Sequence, residues 1–97
     1  MAKQHDDIAR RIAKKVGGDY NSVKGPDIVT PQQVIEVGTD PNQVSAEMKQ
    51  VARYNKPRYV AGPQPFVKAA LKSTQGTGIG VMDGKGNIVK RGRSKGK

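Results

Sequence analysis

Two short β-branched runs, Ile28-Val29-Thr30 and Val34-Ile35-Glu36-Val37, are separated only by a Pro31-Gln32-Gln33 turn. β-branched residues pack well on a pleated surface, and so short a polar connection makes the two runs antiparallel neighbours. The chain is thereby committed to a sheet that begins with a hairpin. A hairpin centred between Pro31 and Gln32 sets Ile28 opposite Ile35 and Asp27 opposite Glu36. A bulge would shift that register.

The remaining segments supply what such a sheet needs on its faces. From Asp6 to Val16, Ile8, Ile12 and Val16 recur at helical spacing with Ala9 and Ala13 beside them. Asp6 and Asp7 open this helix, Lys14 and Lys15 close it, and Gly17-Gly18 ends it. A short strand follows at Asp19 to Asn21. Asp40 caps a second helix with Pro41 at its first position, and Val44, Met48 and Val51 form its apolar stripe as far as Tyr54. Tyr59-Val60-Ala61 reads as a buried strand. It is reached through a helical crossover, so it runs parallel to Val34–Val37. Pro65 opens a third helix with Phe66, Val67, Ala70 and Leu71 inward. Ile79–Met82 and Asn87–Val89 then flank Asp83-Gly84-Lys85-Gly86, a hairpin turn. The expectation is one compact α/β domain over residues 1–89, a mixed central sheet flanked by helices, followed by a basic tail at 90–97 that is disordered.

Charge narrows the partners. Eighteen Lys and Arg against eight Asp and Glu give a net charge of +10, which draws the chain to polyanions in a salt-sensitive way. Arg10, Arg11, Lys14 and Lys15 on the first helix, Lys24 in a loop, and Lys90, Arg91 and Arg93 in the tail are the candidate phosphate contacts. One Phe and three Tyr leave little for base stacking and favour backbone contacts. No cysteine is present, which excludes disulfides and cysteine-ligated zinc. The first residues lack the apolar stretch of a secretory signal, and no apolar run approaches a membrane span. The reading is therefore a soluble, cytoplasmic nucleic-acid-handling protein without membrane contact. A homodimer would widen the footprint of so small a chain.

Asp27 and Glu36 carry the chemistry. As cross-strand neighbours their Cβ atoms lie roughly 5 Å apart, and like charges so placed repel. A divalent cation between them resolves the conflict, since Mg²⁺ is held by one or two carboxylates, water and phosphate oxygens. The competing reading is plain structure: Asp27 after Gly-Pro is a favoured turn residue, and Glu36 can sit on a solvated strand face.

Pro26-Asp27, eight further residues, then Glu36-Val37-Gly38, within the order helix, hairpin, helix, strand, helix over residues 6–72, resembles the PD-(D/E)XK nuclease superfamily. That superfamily includes restriction endonucleases and archaeal Holliday junction resolvases. The resemblance implies a restriction-endonuclease-like fold and phosphodiester hydrolysis with Mg²⁺ or Mn²⁺ at Asp27 and Glu36, with DNA favoured over RNA. Asp7 would be a further acidic ligand, and Gln50 with Tyr54 matches the Q-x-x-x-Y pattern of exonuclease branches. The chain departs from the family at Gly38, where the catalytic lysine belongs. Lys49 points away from its helix stripe and Lys24 lies in a loop, so neither replaces it readily. Two alternatives to the nuclease follow: an inactive nucleic-acid-binding module on the same scaffold, and a basic structural or ribonucleoprotein component. Gly76-Thr77-Gly78-Ile79-Gly80 follows a helix and enters a strand, the wrong order for a dinucleotide loop. His5, alone near the terminus, reads as a bystander.

Overall fold

The computed structural model describes residues 2–20 and 26–95, with side chains from Gln4 onward. Helix α1 (Ala2–Val16) leads into β1 (Ile28–Val29) and β2 (Val34–Val37). A 3₁₀ turn at Pro41–Gln43 runs into α2 (Val44–Val51), followed by β3 (Arg58–Gly62), α3 (Gln64–Ser73), β4 (Gly80–Asp83) and β5 (Ile88–Lys90). The five strands lie side by side in sequence order, β1-β2-β3-β4-β5. The outer pairs are antiparallel and the inner pairs, β2 with β3 and β3 with β4, are parallel. The first hairpin has the expected register, Ile28 opposite Ile35. Tyr20, within the expected strand at 19–21, makes a single antiparallel bridge to Ile28, and Asn21 lies outside the described residues.

Alternation along the strands builds two apolar layers. Ile35, Val37, Tyr59, Ala61 and Met82 face α1, which buries Ile8, Ala9, Ile12 and Ala13 on them. Val34, Val60 and Val81 face the other way, under Val44 and Val51 of α2 and Phe66, Val67 and Ala70 of α3. Both crossovers are helical and both helices lie on one face, as parallel connections of one hand require. Asp40 caps the second helix as expected, its side chain accepting from the Asn42 N–H at 2.9 Å. No described helix is long and apolar enough to cross a membrane.

Two expectations need correction. Helix α1 begins four residues before Asp6, so Asp6 and Asp7 fall in its second turn rather than its first. This shift carries His5 onto the helix. The tail also holds to the fold through Lys95. Lys90 ends β5, Arg93 N–H donates to Gly78 O at 2.7 Å, and Lys95 N–H donates to Tyr54 O at 3.2 Å. The physical reason is Arg58, which is buried and needs acceptors. Its Nε donates to Arg93 O at 2.9 Å, and its guanidinium nitrogens donate to Ala52 O at 2.6 Å and Thr77 O at 3.4 Å. Gly92 lets the segment pass so close, since a Cβ there would lie 2.1 Å from Arg58 O. Residues 96 and 97 lie outside the described residues.

A chain ended at Lys90 therefore loses one acceptor of a buried guanidinium and two backbone donors. We expect it to be less stable than a chain ended at Lys95 by roughly 1–3 kcal/mol in chemical denaturation. Equal midpoints for the two would show that the segment contributes nothing.

Candidate carboxyl site

The hairpin ladder stops at Ile28, and the two acids beyond it take over from the backbone. A continued antiparallel ladder would carry the Val37 N–H to the backbone of residue 26. Instead it donates to Asp27 Oδ2 at 2.9 Å, while the Asp27 N–H donates to Glu36 Oε1 at 3.0 Å. Two main-chain donors thus clasp two carboxyls that would otherwise repel. Both residues are buried; Glu36 faces the α2 side of the sheet, and Asp27 sits at the sheet edge within reach of α1.

Two residues that the sequence did not single out complete the cluster. Glu47 comes from α2 and its carboxyl lies beside that of Glu36. Burial first, then the Glu47 contact and the Asp27 charge, push the Glu36 carboxyl up to about 9, against the pull of the Asp27 N–H. Glu47 is raised too, chiefly by burial, while its bond to Glu36 pulls it down. Burial and the neighbouring negative charge thus favour one retained proton within the Glu36–Glu47 pair. His5 comes from α1, with Nε2 3.1 Å from Asp27 Oδ2 and Nδ1 3.3 Å from the Tyr20 hydroxyl. Tyr20 gives its one proton to Asp6 Oδ1 at 2.6 Å, so the hydroxyl faces His5 as an acceptor. Burial and Asp6 push the Tyr20 phenol up to about 12. His5 is thus no bystander: it ties the first helix to Asp27.

Gly38, where the sequence resemblance leads one to expect a lysine, has little room for a side chain. A Cβ on Gly38 would lie 2.5 Å from Phe66 Cε1 and 3.0 Å from Glu47 Cγ. The space a side chain at 38 would enter is filled by the α3 aromatic ring and the α2 acid. Gly62 on β3 makes the same allowance, with a Cβ 2.1 Å from Gly38 O and 2.7 Å from Phe66.

Comparison with protein-family models, with curated proteins and with solved structures gives no match.

The other candidates are spread around the molecule. Asp7 is exposed and lines a cleft on the far side of α1, so His5 rather than Asp7 is the α1 residue that meets Asp27. Gln50 is exposed on α2, and Tyr54 lies past the end of α2, packed against the Val34 layer. No hydrogen bond joins either to Asp27 or Glu36 among the described residues. On α1, the Arg10 guanidinium lies 5.9 Å over the Tyr20 ring, Arg11 reaches Gly84 O at 3.4 Å, and Lys15 reaches Asn87 Oδ1 at 2.6 Å. Lys14, Arg91 and Arg93 are exposed. Lys90 turns inward and donates to Thr74 O at 2.6 Å and to its hydroxyl at 3.0 Å. Lys24 lies outside the described residues. Lys49 lines a separate pocket with Ser45, Arg58 and Ser73, in keeping with a side chain turned off its stripe.

All three acids offer hard oxygen donors, and backbone N–H groups hold two of them in place. That chemistry fits Mg²⁺ or Mn²⁺ bound through one or two carboxylates and completed by water and phosphate. As they stand, no three or more His, Cys, Asp or Glu side chains among the described residues form a ready metal cage.

Two outcomes follow. Glu36 is protonated more readily when folded than when unfolded, so its contribution falls as pH rises from its ordinary 4.5 towards about 9. Glu36→Gln keeps a donor to Glu47 and removes that penalty. Its thermal midpoint should overtake the wild type across that window, and a constant offset would refute the assignment. Gly38→Lys should lower the midpoint by several degrees, since overpacking costs about 1–3 kcal/mol. Phe66→Ala in the same chain should be less than additive with it.

Proposed function

We infer that the chain binds nucleic acid and that Asp27 and Glu36, joined by Glu47, form a divalent-cation site for phosphodiester hydrolysis on a restriction-endonuclease-like core. One observation carries the reading: two buried acids, Asp27 and Glu36, are held side by side by main-chain N–H groups, with no cationic side chain among the described residues in the clasp. Such a site gains most from a cation. The element order from α1 through the first hairpin, α2, β3 and α3 supports the same reading, as does the parallel β2–β3 pair.

The residues themselves would act as follows. Asp27 and Glu36, fixed by the backbone donors of Val37 and Asp27, present their remaining oxygens at one place. Loss of the Glu36 proton to solvent would leave that carboxyl free to turn to a new partner, with Glu47 beside it. His5 orients Asp27 from the opposite side of the sheet edge. A bound Mg²⁺ or Mn²⁺ would supply charge neutralisation at the phosphate and a more acidic water. Exposed Arg10, Lys14 and the chain end would hold flanking phosphates. DNA is the favoured polymer on the resemblance.

A second reading, a binding module without catalysis, is favoured by the filled space at Gly38. The two separate in one assay on labelled duplex, single-stranded and branched DNA and RNA. The nuclease reading expects cleavage with Mg²⁺ or Mn²⁺, none in EDTA, and a loss of at least 100-fold in Asp27→Ala, on the order of one essential catalytic group. Salt-sensitive binding without cleavage in wild type and variant alike would leave the binding module.

A further inference from the structure

Beyond the carboxyls, a cleft of about 800 Å³ lies between the first turns of α1 and the β4–β5 turn. It opens beyond the carboxyl ends of the parallel strands β3 and β4, where open α/β sheets present their ligands. Ile8 and Pro63 give it an apolar floor, Arg11 and Lys85 supply cations, Gln4 and Asp7 supply a side-chain amide and a carboxylate, and the second carboxylate, Asp83, is taken up by the Lys85 N–H and by Asn87. This set is mixed in a specific way. A bare phosphate would be repelled by Asp7, and an apolar ligand would strand both cations. A nucleotide suits it, with its phosphate to Arg11 and Lys85, its base edge to Gln4 and Asp7, and its flat ring against Pro63 and Ile8.

The register gives its place relative to the carboxyls. Glu36 lies beside Val60, Val60 beside Val81, and Asp83 is two residues further along β4. Two strand spacings across and two residues along make roughly 12 Å in the plane of the sheet. Glu36 lies on the α2 face and the cleft on the α1 face, so a strand joining them passes around the carboxyl ends of β2 and β3. We propose that this cleft receives a nucleotide of the same nucleic-acid strand whose phosphodiester lies at Asp27 and Glu36. The inference rests on the proposed nucleic-acid reading but not on catalysis.

The test is binding in EDTA, read by fluorescence anisotropy with short single-stranded DNA and, by competition, with mononucleotides. Lys85→Ala and Arg11→Ala should each weaken oligonucleotide binding roughly three- to tenfold and lower the salt slope by about one. Gln4→Leu should weaken binding to some bases more than others, and Lys68→Ala, exposed on the outer side of α3, should change nothing. Wild-type affinity in the three cleft variants would overturn the proposal, as would no binding at all. Mononucleotides binding as tightly as oligonucleotides would overturn the shared-strand assignment in favour of a free-nucleotide site. Absence of cleavage in the separate assay would sink the nuclease and leave the cleft standing. Normal cleavage with unchanged KM in the cleft variants would do the reverse.

Discussion

The clasp between Asp27 and Glu36 holds the structure's chemistry in place. It sits where the antiparallel ladder of the first hairpin runs out, and it replaces two backbone hydrogen-bonding partners with two carboxyls. A buried carboxylate without donors would cost several kcal/mol, and the main-chain N–H groups of Asp27 and Val37 lower that cost. They do not remove it. The third acid, Glu47, arrives from α2, and burial raises both glutamates, which favours a proton retained between them. Burial that stabilises the sheet and charge that destabilises the site thus meet at one residue.

The same crowding explains Gly38. In the nuclease superfamily proposed for the chain, this strand position would hold a lysine. Here Phe66 closes over it, and Gly62 on the adjoining strand lets the ring come down onto the strand ends. The layer that anchors α3 therefore occupies the ground where a cation would stand. His5 sits on the other side of Asp27 and is linked through Tyr20 to Asp6, so the acids are flanked from both faces of the sheet edge. The far end of the sheet is arranged differently. There Arg58 gathers carbonyls from the end of α2, the Thr77 turn and the final segment, with Lys90 serving the end of α3 in the same way.

Much of this was legible in the residues. The hairpin register followed from the symmetry of its two β-branched runs about the turn, which also placed Asp27 opposite Glu36. The parallel β2–β3 pair followed from the helical pattern between them. Glu47 was not legible, because it lies three residues after Val44 and four before Val51, inside the buried stripe, where an acid reads as a polar flank. His5 was hidden by the absence of a capping signal: nothing before Asp6 marks the start of the helix. The chain end was misread because glycines among basic residues look like disorder, whereas Gly92 is there to let the backbone approach Arg58. Charge and local pattern indicate which elements form. They do not reveal which buried donor needs a distant acceptor.

The proposed cation site at Asp27, Glu36 and Glu47 is tested most directly by its proton balance, since burial favours a proton on the cluster that a bound cation would displace. Calorimetric titration of the wild-type chain with Mn²⁺, repeated in buffers of different ionisation enthalpy at pH 7 and above pH 9, measures this directly. The account predicts that binding at pH 7 releases close to one proton, that the release fades as pH rises past about 9, and that Glu36→Gln abolishes it. Binding with no proton release at pH 7, or no binding at either pH, would contradict it.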